Sequence, residues 1–138
     1  MKEDATFLDQ QLEFYQEVKK NLQSYVKDTG KPNEIHPELV ASVINELAAK
    51  DAIFTVDTGM CCVWTARYID GTGERKMLGS FNHGSMANAM PQSIGAALAR
   101  PDQQVIAFCG DGGISMMLGD LMTIVQYQLP VRFCFIYG

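Results

Sequence analysis

The chain has 138 residues, 47% hydrophobic and 20% charged, which is one domain's worth of an ordinary globular protein. Its net charge of −5 argues against a nucleic-acid partner, because phosphate backbones attract basic surfaces. The acids Glu3 and Asp4 stand where a secretory signal would carry positive charge, and the longest apolar runs are too short to span a bilayer.

From about Thr6 to Lys27 apolar side chains recur at helical spacing (Leu8, Leu12, Tyr15, Val18, Leu22, Val26), which predicts an amphipathic helix. Asp28 to Glu34 has turn chemistry and reads as a linker. Residues 1–34 are therefore expected to be a joining helix and linker from an upstream domain, and residues 35–138 the domain proper. Pro37 suits the first turn of a second helix, with Glu38 at its positive end and Val40, Val43, Ile44 and Leu47 on its buried face.

Ala52 to Val56 predicts a short buried strand ending in Asp57-Thr58-Gly59. A helical segment through Val63, Trp64 and Tyr68 follows, then a polar turn from Asp70 to Glu74. Lys76 to Ser80 fits another strand, and Ala87 to Ala99 a helix with Pro91 in its first turn. Gln104 to Cys109 is an expected strand, Ser115 to Gln128 a helix and Val131 to Ile136 a strand. This alternation predicts an α/β fold, a parallel sheet with helices on both faces. Ligands of such sheets gather at the carboxyl ends of the strands, so the loops of interest are 57–59, 81–88 and 110–113.

Cys61, Cys62, Cys109 and Cys134 form no C-x-x-C pair. Cys109 and Cys134 lie in apolar strand-like runs, where free cysteine behaves as a small hydrophobe. All four are expected to be reduced, which fits a cytoplasmic location.

Gly110-Asp111-Gly112-Gly113 stands between a strand and a helix, where glycines let the backbone approach a ligand and free N–H groups suit phosphate. Asp111 would repel a phosphate unless a divalent cation lies between them, as magnesium does when it bridges a carboxylate and a phosphate. The loop is neither a Walker A motif, which needs Gly-Lys-Ser/Thr, nor a Rossmann fingerprint, since Ser115 occupies the place of the third glycine. Taken alone, a tight turn with Asp111 capping the helix explains it equally well. Residues 80–91 offer a glycine and a methionine two apart at the opening of a helix, able to present backbone groups and one bulky apolar side chain to a flat ligand. By themselves His83 and Met86 are more simply surface or core residues, and residues 57–59 a plain turn.

Together the three loops resemble the diphosphate-binding domain of thiamine-diphosphate enzymes, and within them the pyruvate oxidases, especially the bacterial quinone-reducing type. The resemblance rests on IHPELV, DAIFTVDTG, VWTARY, LGSFNHGSMANAMPQSIGAA and QVIAFCGDGGISMMLGDLMTIVQYQLPV, which fill nearly all of Ile35 to Val131. It implies that the Gly84 carbonyl accepts a hydrogen bond from the cofactor's aminopyrimidine and that the Met86 N–H donates one to that ring. The Met86 side chain would wedge between the cofactor's rings and hold them in a V. Thr58 and Gly59 would contact the diphosphate, Asp111 would ligate magnesium, and the Gly112 and Gly113 N–H groups would bind the diphosphate. Ser85 and Gly110 belong to the same implied cofactor-binding set. In the complete enzyme, the resemblance implies oxidative decarboxylation of pyruvate to acetate and CO2, with electrons passing to FAD and then a quinone. That enzyme would be a homo-oligomer, able to sit at the membrane periphery without spanning it.

Two departures qualify the resemblance. The family motif continues from the GDG aspartate to an Asn-Asn pair, whose second Asn ligates magnesium; here that pair falls at Tyr137-Gly138. The glutamate that activates the cofactor belongs to another thiamine-binding domain, and the middle domain holds most of the FAD; neither is in this chain, so no catalytic residue is expected within it. The domain reads as incomplete at its C-terminus, a truncation or frameshift of a longer gene, with the first methionine fitting an internal start or a split gene. The expectation is a fragment inactive by itself, with weak or no magnesium-dependent cofactor binding. The alternatives are a non-catalytic α/β domain using the same surface for oligomer contacts, and a fragment of another thiamine-diphosphate enzyme such as acetolactate synthase.

Overall fold

The computed structural model describes residues 5–31 and 34–136. Four parallel strands form one sheet: β1 (Ile53–Val56), β2 (Lys76–Gly79), β3 (Val105–Gly110) and β4 (Val131–Ile136), in the order β2-β1-β3-β4. The helices are α1 (Thr6–Tyr25), α2 (Pro37–Leu47), α3 (Met60–Tyr68), α4 (Ala89–Ala99), α5 (Asp111–Met116) and α6 (Leu121–Gln126), with a 3-10 turn at Leu118–Asp120.

The period-2 alternation of the strands sorts side chains onto two apolar layers. Phe54, Val56, Ile106 and Phe108 point to one face, where Cys61 of α3 and Ile44 of α2 pack against them. Ile53, Val105, Ala107 and Cys109 point to the other and meet Ala89, Met90, Ala96 and Ala97 of α4, with Ile114, Leu121 and Ile124 alongside. The expected parallel sheet with helices on both faces is the fold observed. Phe54 and Phe108 have no exposed surface, and each such side chain contributes about 1.5–3 kcal/mol through burial.

Helix α4 packs closely because its buried residues other than Met90, namely Ala89, Ser93, Ala96 and Ala97, are all small. Arg75 ties the opposite layer together. Its guanidinium donates to the carbonyls of Asn45 (2.9 Å), Ala48 (3.0 Å) and Ala49 (3.2 Å) at the end of α2, and to Asn45 Oδ1 (2.6 Å).

Two elements differ from expectation, while α1 forms where a helix was expected. The predicted helix over 115–128 is instead two short helices, of which α5 begins at Asp111, joined by the 3-10 turn around Gly119. Helix α4 starts at Ala89 rather than Ala87, because Ala87 has φ of 61° and lies outside the helical region. The apolar stripe of α1 covers nothing along most of its length: no residue of α1 is buried, and Leu8, Leu12 and Tyr15 are exposed. Its last turns touch the domain, through the Lys19–Asp70 ion pair and the Tyr68 hydroxyl donating to the Leu22 carbonyl (3.3 Å).

Candidate cofactor site

The strand order places a topological switch point between β1 and β3. The chain leaves β1 toward β2 on one side and β3 toward β4 on the other, and a crevice opens at their carboxyl ends. A cavity of about 330 Å³ lies there, lined by Thr58, Gly59, Met86 and Gly110 to Gly113, with Cys61 and Trp64 of α3 at one wall. Its volume is at the small end of the range for small-molecule sites, enough for one end of an extended cofactor.

Of the residues expected in the site, Thr58, Gly59, Met86, Gly110, Asp111, Gly112 and Gly113 line the cavity together. Gly84 and Ser85 stand in the loop above and do not line it. Gly84 has φ of 72°, which a glycine adopts without strain, and its α-carbon faces the Thr58 methyl. The Met86 side chain is half exposed and reaches across the crevice to the backbone of Gly112, where an added Cβ would lie 3.2 Å from its methyl. The positions implied for the metal ligand beyond Asp111, Tyr137 and Gly138, lie outside the described residues.

Asp57 is the residue that motif reading underrated. It is almost fully buried (3% exposed), and its carboxylate accepts from the Ala89 N–H (2.8 Å) and the Gly110 N–H (3.2 Å). The sequence signal for it was an acid directly after an apolar strand, but its partners are 32 and 53 positions away.

The lining carries carboxylates and no cationic side chain among the described residues. A bare diphosphate would be repelled there, and a divalent cation between Asp111 and the phosphates removes the conflict. Asp111 Oδ1 accepts the Gly112 N–H (2.8 Å), while Oδ2 has no partner among the described residues and the side chain is exposed. No group of three ligating side chains occurs among the described residues.

Burial, reinforced by the charge of Asp57, pushes the thiols of Cys61 and Cys109 up to about 12. All four cysteines are free. No helix among the described residues is long and apolar enough to cross a membrane.

A parallel α/β sheet whose ligand crevice lies between a glycine-rich turn and a methionine-bearing loop defines a cofactor-binding domain. Comparison with known proteins makes the class specific. The family of thiamine pyrophosphate enzymes' C-terminal TPP-binding domain matches residues 57–136, more than half of the chain. The chain belongs to this family. It is 36% identical over 134 residues to the "Putative thiamine pyrophosphate-containing protein YdaP" of Bacillus subtilis, covering 94% of this chain and 22% of that protein. It is 38% identical over 104 residues to the "Probable acetolactate synthase large subunit" of Methanococcus aeolicus (75% of this chain, 17% of that protein). With the acetolactate synthase isozyme 1 large subunit of Escherichia coli it shares 36% over 104 residues, 73% of this chain and 18% of that one. The chain spans about a fifth of the length of these curated relatives.

Proposed function

We propose that this chain binds the diphosphate end of thiamine diphosphate through magnesium, as one part of an enzyme that decarboxylates pyruvate. The observation that carries the reading is the cavity at the β1/β3 switch point, in which Asp111, Gly112, Gly113 and Met86 meet in a lining without cations. Asp111 would hold the ion by its free Oδ2, and the Thr58 and Gly59 backbone would close the phosphate end. Met86, projecting over Gly112, would support the bound rings, and the Gly84 and Ser85 loop would meet the aminopyrimidine. When bound, the cofactor supplies a carbon nucleophile for a keto group and a sink for the electrons released with CO2. This chain's share is to anchor and bend it.

The motif set favours oxidation of pyruvate to acetate, with FAD and a quinone as electron carriers held by the complete enzyme. A second reading, acetolactate synthesis, is supported by the names of the relatives from Methanococcus aeolicus and Escherichia coli. Both assign the same role to Asp111 and Met86 and differ in residues beyond this chain. The test is a chimera in which the chain replaces its matching segment of the Bacillus subtilis relative, supplied with pyruvate, thiamine diphosphate, magnesium and a dye acceptor. Consumption of pyruvate by the chimera supports the cofactor-holding role that both readings give this chain. A folded chimera that leaves pyruvate untouched while its parent consumes it counts against both.

A further inference from the structure

We propose that Asp57 is a positioning residue, the buckle that sets the geometry of all three loops around the crevice. What the loops hold rests on the cofactor reading above; that they are held by Asp57 does not. Asp57 stands one residue past β1, on the same face as Thr55, and both side chains grip one residue of α4. The Thr55 hydroxyl donates to the Ala89 carbonyl (2.8 Å), and the Ala89 N–H donates to Asp57 Oδ1 (2.8 Å). Both residues are buried, so these bonds are made away from water and are costly to break.

The same carboxylate reaches the second loop, since Oδ2 accepts the Gly110 N–H (3.2 Å) immediately before Asp111. It also determines what fits in the third place. A Cβ on Gly113 would overlap Asp57 Oδ2 and come within 3.0 Å of its Cγ and 3.2 Å of the Ala87 nitrogen. The carboxylate therefore occupies the space a side chain at 113 would need, and α5 approaches β1 only because residue 113 is glycine.

Fixing Ala89 has a consequence two residues earlier. Ala87 is buried and held at φ of 61°, a conformation costly for a residue with a Cβ, which persists only where its surroundings impose it. With Ala89 clamped, that turn carries Met86 out across the crevice to Gly112. The pose of Met86 over the Asp111 turn is thus set from β1.

The experiment compares the full chain with Asp57→Asn by NMR without ligand, then by titration with magnesium and thiamine diphosphate. Asn keeps one acceptor and turns an NH2 group toward one of the two N–H groups. The expected result is faster exchange at the Gly110 or Ala89 amide and loss of the Met86 methyl contact to Gly112, while the β1–β3 ladder amides stay protected. Where the parent binds cofactor, affinity should fall roughly 10- to 100-fold. Unchanged exchange at both amides together with an unchanged Met86 contact would overturn the proposal. A parent that does not bind the cofactor sinks the cofactor reading alone, because the exchange and Met86 results stand without it. Should Asp57→Asn fail to fold, Gly113→Ala and Asp57→Ser/Gly113→Ala decide. The overlap predicts that Gly113→Ala is relieved by Asp57→Ser, and independent, additive effects would contradict it.

Discussion

The thiols of Cys61 and Cys109 are buried on opposite faces of the sheet. Burial raises both, and the neighbouring Asp57 charge adds to it, so that each loses its proton only near 12 in the folded chain, against 9.0 ordinarily. Between those values the unfolded chain has lost protons that the folded chain retains, so stability falls as pH rises from about 9 toward 12. Urea unfolding at pH 7.5, 9 and 10 should show a midpoint that is flat at first and then declines, and Cys61→Ala/Cys109→Ala should flatten the decline. A pH-independent midpoint in the parent would contradict the burial of these thiols. The same folded thiols should be poor nucleophiles at pH 8, since the thiolate is the reactive form. Asp57 shows where single-residue reading of a sequence stops. Its position after an apolar strand marked a loop worth attention, but its bonds to Ala89 and Gly110 form only when β1, α4 and β3 assemble.

The strands were legible as elements because AIFTV, QVIAFC and VRFCFI are short apolar runs rich in β-branched and aromatic residues, bounded by turn chemistry. The segment after Gly113 was not. Ile114, Leu121 and Ile124 all pack on the same layer as Cys109 and Phe133, which mimics one continuous helical stripe. Gly119 and the turn at Leu118–Asp120 break the axis in between, and a single glycine inside a periodic pattern lowers helical preference without locating a break. Arg75 falls between the expected polar turn, Asp70 to Glu74, and the expected strand from Lys76, yet it closes the end of α2 and stacks on Phe54 (5.6 Å). Arg75→Met keeps the stem and removes the fork, taking its donors from the Asn45 and Ala48 carbonyls. Chemical denaturation should show a loss of about 2 kcal/mol, and Arg75→Lys should recover only part of it, because one ammonium cannot bridge three carbonyls. Full recovery by lysine would mean that charge alone matters there.

At the scale of the molecule, two apolar surfaces lie open among the described residues. One is the α1 stripe, and the other runs over α5 and α6, where Met116, Leu118, Met122 and Val125 are each more than half exposed. Apolar patches of this kind drive association, so sedimentation of the chain should depend on concentration, and Met122→Lys with Val125→Lys should shift it toward monomer. Monomer throughout the micromolar range would contradict this.

The central claim, that the β1/β3 crevice holds the magnesium-bridged diphosphate end of thiamine diphosphate, is tested most directly by calorimetric titration. The cofactor is added to the chain with magnesium, without it, and to Asp111→Asn with magnesium. The account predicts weak binding that appears only with magnesium and disappears in Asp111→Asn. Equal heats in all three titrations, or no binding by the folded chain even with magnesium, would contradict it.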